Sequence, residues 1–361
     1  CHAKPLCRDF LIFWRASGDI WRGDLAAVFD PLKLSAAMDA ILGGPPGFTS
    51  FPYPPLGTWF IAPLAALPYA VAWPAWLIVT FAAFAVSLRR FFTSTGAGLL
   101  LLATAPASLV NIAAGQNGFL SAALLGGGLL ALERRPILAG LLIGLLSFKP
   151  QLGLLLPFVL LAGGYGRVFA VAAATCVTLF AGSVAFLGWT PWSLYFEAGL
   201  PLQRLLLETG LGPFMAMMPS FIMSARILDL PLWIGYALQA AVAIGVLVAC
   251  CWAIRQKAPL EQRIAVVMAG AVVAPPYCFN YDLTILVAAQ ILAWPGCRSL
   301  ETTELTVFAL AWLLPALMVE AGIAGIPVAP VILLAQFLVL IKRLAAPAGT
   351  GVSADARSAV A

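Results

Sequence analysis

Apolar runs recur along this chain from residue 72 to residue 342, separated by short polar islands. Lipid offers no partners to backbone N–H and C=O groups, so runs of this kind must bond internally as helices. Mean hydropathy is +1.00 over 361 residues, with 62% hydrophobic and 10% charged residues. That balance excludes a soluble globular domain and makes the chain an all-α polytopic integral membrane protein. The 32 glycines and 27 prolines suit helices that pack closely and break near a site.

Eleven spans are predicted, at 72–90, 97–113, 117–133, 136–148, 150–163, 167–187, 232–254, 262–275, 281–295, 303–320 and 327–342. Several fall short of the roughly 20 residues that cross a bilayer untilted, which suits helices around an enclosed cavity. The units read as an outward first loop (1–55), a juxtamembrane helix (56–70), a transmembrane module (72–187), an outward loop (188–231), a second transmembrane module (232–342) and a cytoplasmic disordered tail (343–361). The first loop carries Asp9, Asp19, Asp24, Asp30 and Asp39, a turn at Gly43-Gly44-Pro45-Pro46-Gly47, and an extended approach at Phe51-Pro52-Tyr53-Pro54-Pro55. The chain opens at Cys1 in a polar, aromatic segment without a Met, so a first span upstream is expected.

Basic residues set the orientation. Under this span set Arg89/Arg90, Arg134/Arg135, Arg167, Arg255/Lys257/Arg263, Arg298 and Lys342/Arg343 share one side, assigned to the cytoplasm. The other side receives 1–55, Gly115-Gln116-Asn117, Lys149-Pro150-Gln151, 188–230 and the segment ending Asn280-Tyr281-Asp282. That convergence requires that 56–70 does not cross. The net charge of +5 comes with no basic block interleaved with aromatics, so no nucleic-acid partner is expected. His2 is the only histidine and no CxxC motif is present, which argues against a protein-built zinc site. Cys176, Cys250, Cys251 and Cys297 lie in apolar runs as small core residues; Cys1 and Cys7 could pair only in an oxidising compartment.

Each polar island has a plain alternative. Asp9 reads as a capping or solvated carboxylate, or as a functional one. Lys149 reads as a snorkelling helix end, or as an outward cation that holds a lipid phosphate. Gln116 and Asn117 read as turn or N-cap residues, or as amides that bond sugar hydroxyls or orient Asp9. Asn280 and Asp282 read as helix caps, or with Tyr281 as a sugar-binding set. Trp189, Trp192, Tyr195 and Phe196 fit an interfacial belt better than a sugar platform. Arg204 and Arg226 are further outward cations.

In order and spacing, Asp9-Phe10, Trp14-Arg15-Ala16, Ala27-Val28-Phe29-Asp30-Pro31, Tyr53-Pro54-Pro55, Gly115-Gln116-Asn117, Lys149-Pro150-Gln151 and Asn280-Tyr281-Asp282-Leu283 resemble glycosyltransferase family 87. The resemblance implies a GT-C-like helical bundle in a bacterial inner membrane, its site facing the periplasm or exterior. It implies a polyprenyl-phosphate sugar donor, often mannose, and a lipid or glycan acceptor. It matches Asp9 to the family's catalytic aspartate. Lys149 and Arg204 become donor-phosphate ligands, and Trp14, Tyr53, Gln116, Asn117, Gln151, Asn280, Tyr281 and Asp282 sugar or acceptor ligands. One departure is the lack of histidine in the later outward loops, where some members use one.

The implied chemistry needs one base. Phosphate leaves as an anion without a general acid, and a single carboxylate takes the acceptor proton, so direct attack inverts the anomeric centre. The scarcity of ligands argues against a tightly held metal, while a divalent metal between Asp9 and the donor phosphate stays open. The rival function is a transporter or flippase of lipid-linked sugars, which would show polar groups reachable from both faces and half-to-half similarity. A structural membrane subunit is a third reading that the ordered outward motifs disfavour.

Overall fold

A computed structural model describes residues 8–42, 49–294 and 300–346. His2, Cys1, Cys7, the Gly43–Gly47 turn, Cys297, Arg298 and all but the first residues of the expected tail lie outside the described residues.

The expected first loop is helical over most of its length: α1 (Arg8–Trp21), α2 (Leu25–Phe29) and α3 (Pro31–Leu42). Its aspartates are local devices. The Asp24 carboxylate accepts from the N–H of Ala27 at 3.2 Å and caps α2. Asp30 accepts from the N–H of Leu32 at 2.9 Å and opens α3. Asp19 is buried between Arg15 and Arg22. Polarity suggested a loop, but Phe10, Phe13, Ala16 and Ser17 recur at helical spacing and are all buried.

The chain then passes through a twelve-residue irregular helix, Pro55–Ala66, whose α-helical turn is α4 (Thr58–Ile61). It is shorter than a bilayer crossing needs. After α5 (Tyr69–Leu88) come α6 (Thr95–Thr104) and α7 (Pro106–Ala114), bent by 64° at Ala105, where Pro106 cannot continue the hydrogen-bond ladder. There follow α8 (Gly118–Leu130), α9 (Pro136–Leu145), α10 (Leu156–Ala162) and α11 (Gly166–Leu187). The segment 188–231 holds α12 (Thr190–Leu194), α13 (Leu200–Thr209), α14 (Pro213–Ala216) and α15 (Phe221–Ile227). Last are α16 (Leu232–Ala253), α17 (Leu260–Val273), α18 (Thr284–Ala293), α19 (Thr302–Ile323) and α20 (Ala329–Ala345).

The protein is an all-α polytopic membrane protein. Each of the eleven segments expected as a span is helical. Among the described residues four helices are long and apolar enough to cross, by length and composition: Tyr69–Phe91, Gly166–Leu187, Leu232–Ala253 and Thr302–Ile323, or five if the bent α6–α7 pair is one span. The 13 residues of α8, 14 of α17 and 10 of α18 fall short. They are apolar because protein surrounds them: Ile264–Val273 and Thr284–Gln290 are buried throughout. Apolar helices of such length are more often buried core than membrane spans. Helix α9 meets α11 through glycines; a Cβ on Gly140 would lie 2.8 Å from the carbonyl of Val168.

Helices α8 and α17 run between two unlike ends of the bundle. At one end Arg90 pairs with Glu261 at 2.9 Å, and Arg263 with Glu133 at 2.5 Å. The other end holds the polar islands.

Candidate active site

Helix α7 ends at Gly115, whose φ of +70° is a left-handed conformation that glycine adopts without strain. The carbonyl of Asn111 accepts from the N–H groups of both Gly115 and Gln116, at 2.9 and 3.1 Å. The Asn111 side-chain oxygen accepts from the N–H of Gly118 at 2.7 Å and so holds the first residue of α8. Trp76 of α5 donates its indole N–H to the carbonyl of Gln116 at 3.3 Å. Gln116 and Asn117 thus sit on a turn clamped from both sides.

Two side-chain chains run outward from this turn. Gln116 donates its amide N–H to Asp9 Oδ2 at 3.0 Å, and its Oε1 accepts from the Tyr53 hydroxyl at 3.3 Å. Burial, reinforced by the charge of Asp282, holds the Tyr53 phenol well above its ordinary pKa, so it stays a neutral donor. That donation fixes which end of the Gln116 amide faces Asp9. In the second chain Lys149 Nζ donates to Asn117 Oδ1 at 3.0 Å and to Asp282 Oδ1 at 2.5 Å. The other carboxylate oxygen of Asp282 accepts from the N–H of Phe279 at 3.1 Å, so capping and charge pairing hold at once. The ammonium also lies 4.9 Å from the Tyr281 ring centroid.

Six predicted residues therefore form one connected network: Asp9, Tyr53, Gln116, Asn117, Lys149 and Asp282. They come from α1, the approach to the Pro55–Ala66 helix, the α7–α8 turn, the kink after α9 and the turn before α18. Lys149, expected as an outward cation, is 1% exposed, and Asp282 is 0% exposed. Asp9 is only partly buried.

The other predicted residues lie around or outside the network. Tyr281 is buried and stacks on Phe279 at 5.3 Å. Asn280 donates its backbone N–H to the carbonyl of Met217 at 2.9 Å. Gln151 is half-buried, two residues beyond Lys149. Trp14 donates its indole N–H to the carbonyl of Leu67 at 2.9 Å, which ties α1 to the chain ahead of α5. Arg204 stands on the surface of α13, paired with Glu208 at 2.9 Å. Arg226 bonds the carbonyls of Leu207 and Gly210 at the end of α13. Of the aromatic loop, Trp192 and Tyr195 are core, whereas Trp189 and Phe196 are exposed. Among the described residues no group of three His, Cys, Asp or Glu side chains could hold a metal.

Three supporting residues were not singled out from the sequence: Asn111, Trp76 and Gly118. A Cβ on Gly118 would collide with the carbonyl of Tyr281 and with Asn111 Oδ1. An asparagine one turn before a glycine in an apolar helix was the available signal for Asn111.

A family model, Glycosyltransferase family 87, matches residues 51–276. The chain belongs to glycosyltransferase family 87. It is therefore a membrane glycosyltransferase, an enzyme that moves a sugar from a donor to an acceptor. The matched stretch contains Tyr53, Gln116, Asn117, Lys149, Gln151 and Arg204, whereas Asp9 and Asn280-Tyr281-Asp282 fall on either side of it. No significant match was found among curated proteins or solved structures.

Proposed function

We propose that this family 87 enzyme transfers a hexose, mannose by the family resemblance, from a polyprenyl-phosphate donor to a hydroxyl of a lipid or glycan acceptor. The reaction inverts the anomeric centre, with Asp9 as the general base. The carrying observation is the contrast between two carboxylates in one network. Asp282 is enclosed and spent on Lys149, whereas Asp9 keeps accessible surface and has one oxygen oriented by the Gln116 amide. A base must be reachable by the acceptor and held in one geometry, and Asp9 meets both conditions. The lipid phosphate departs without protonation, so a second carboxylate is not needed.

Two further features suit a lipid-linked donor. An apolar cavity of about 260 Å³ begins one residue beyond Lys149, lined among others by Leu146, Pro150, Leu156, Leu160 and Phe169, where a polyprenyl tail could lie alongside the site. Gln203 of α13 donates to the carbonyl of Pro52 at 2.9 Å, which closes the 188–231 segment over the Tyr53 approach. The site then faces the periplasm or cell exterior, opposite the basic end.

The test is transfer from a panel of polyprenyl-phosphate sugars by the full-length protein and by Asp9→Asn. The variant should bind donor and lose turnover. Unchanged turnover rejects the base, and labelled-substrate counterflow without product would favour a carrier instead.

A further inference from the structure

We propose that the buried Lys149–Asp282 pair is a positioning element for the transfer, acting on Asp9 through Asn117 and Gln116, and does not ligate the donor phosphate. The inference rests on Asp9 being the base. An ammonium has three N–H groups. Here one is given to Asp282 and one to Asn117, and the aromatic face of Tyr281 stands at 4.9 Å. Meeting a phosphate would require Lys149, 1% exposed, to leave a carboxylate that is 0% exposed. Parting a buried pair strands an uncompensated charge in a low dielectric, which is strongly unfavourable.

The same geometry gives the pair a different effect. Asn117 follows Gln116 on the turn, and the Lys149 ammonium fixes the Asn117 side chain by a charge-assisted bond. Gln116 is held at its carbonyl by Trp76 and at its side-chain oxygen by Tyr53. Its side-chain amide nitrogen donates to Asp9 Oδ2. Without the Lys149 tether, the turn keeps the Asn111–Gly118 bond but loses the restraint on the Asn117 side chain, and the amide that aims Asp9 is held less firmly. An apolar pair of similar volume could fill the space at little loss of stability. An apolar pair, however, could not tether Asn117 to residue 149, 32 positions further on, and through it to residue 282, another 133 positions along the chain.

The decisive experiment measures steady-state transfer from a polyprenyl-phosphate hexose with full-length Lys149→Met, Lys149→Met/Asp282→Leu, Asn117→Leu and Asp9→Asn. The double variant strands no buried charge, leaves only the Phe279 N–H and Asn117 Oδ1 unpaired, and should melt modestly below wild type and well above Lys149→Met. Its kcat should nevertheless fall about a hundred-fold, the scale expected when a reacting group is misplaced by about 1 Å. Donor KM should stay within about three-fold of wild type. Asn117→Leu should lower kcat in the wild-type background and add little in the double variant, because both act through one tether. Wild-type kcat in the stable double variant would make the pair merely structural and overturn the proposal. A donor KM raised ten-fold or more, with kcat kept, would restore Lys149 as a phosphate ligand and equally overturn it. Asp9→Asn separates the layers: if it retains turnover, the base assignment fails whatever the Lys149 variants do.

Discussion

The two ends of α8 solve the same problem, the placement of charge in an apolar bundle, in opposite ways. Beyond its C-terminus Glu133 meets Arg263 with the carboxylate side chain 47% exposed, and nearby Arg90 and Glu261 are 42% and 31% exposed. Before its N-terminus Lys149 and Asp282 meet with side chains 2% and 0% exposed. Thirteen residues separate these ends, about 20 Å of helix. Exposed pairs keep most of their hydration and contribute little, whereas an enclosed pair must be satisfied on every side to be tolerated. The basic end is therefore best understood as a set of surface ion pairs that pin loops. The enclosed end is a built object whose retention calls for a reason beyond stability.

Substitutions can break that contrast in descending order of effect. Asp9→Asn should reduce transfer by roughly a thousand-fold, within the range that general bases supply, as measured by product formation at saturating donor. Asp282→Leu alone strands Lys149 and should cost about 3–5 kcal/mol, visible as a lowered melting midpoint in detergent. Gly118→Ala pushes a methyl into the Tyr281 carbonyl and Asn111. It should cost about 1–3 kcal/mol, with loss of transfer exceeding the loss of folded protein. At the opposite end Glu261→Gln should change stability by less than about 1 kcal/mol and leave transfer untouched. A large functional effect there would erase the distinction between the ends.

The sequence made some parts of this molecule plain and hid others for identifiable reasons. Apolar runs located each helix from α5 onward that was expected as a span. They could not say whether lipid or protein surrounds a run, and α8, α17 and α18, which read as spans, prove to be short and enclosed by other helices. In the first 55 residues the aspartates drew attention from the helical spacing of Phe10, Phe13 and Ala16. Asp24 and Asp30 proved to be caps rather than signs of a loop. At the site, the polar islands themselves were legible because each interrupts an apolar run. Their wiring was not: Asp9 and Gln116 are 107 residues apart, and Lys149 and Asp282 are 133 apart. No periodicity reports contacts at that separation. Lys149 thus looked like an outward cation, and Arg204 like its companion, until their partners Asp282 and Glu208 were in view.

The separation of Lys149 from Asp282 also bears on how the enzyme is made. Synthesis runs from N- to C-terminus, so the ammonium is laid down 133 residues before the carboxylate that neutralises it. Until that later segment emerges, the nascent bundle carries an unmatched cation at the end that holds the polar islands. Closure of this salt link therefore comes late in synthesis. Ribosome-stalled chains halted before residue 282 should be cleared by membrane proteases, while chains halted after α18 should resist them.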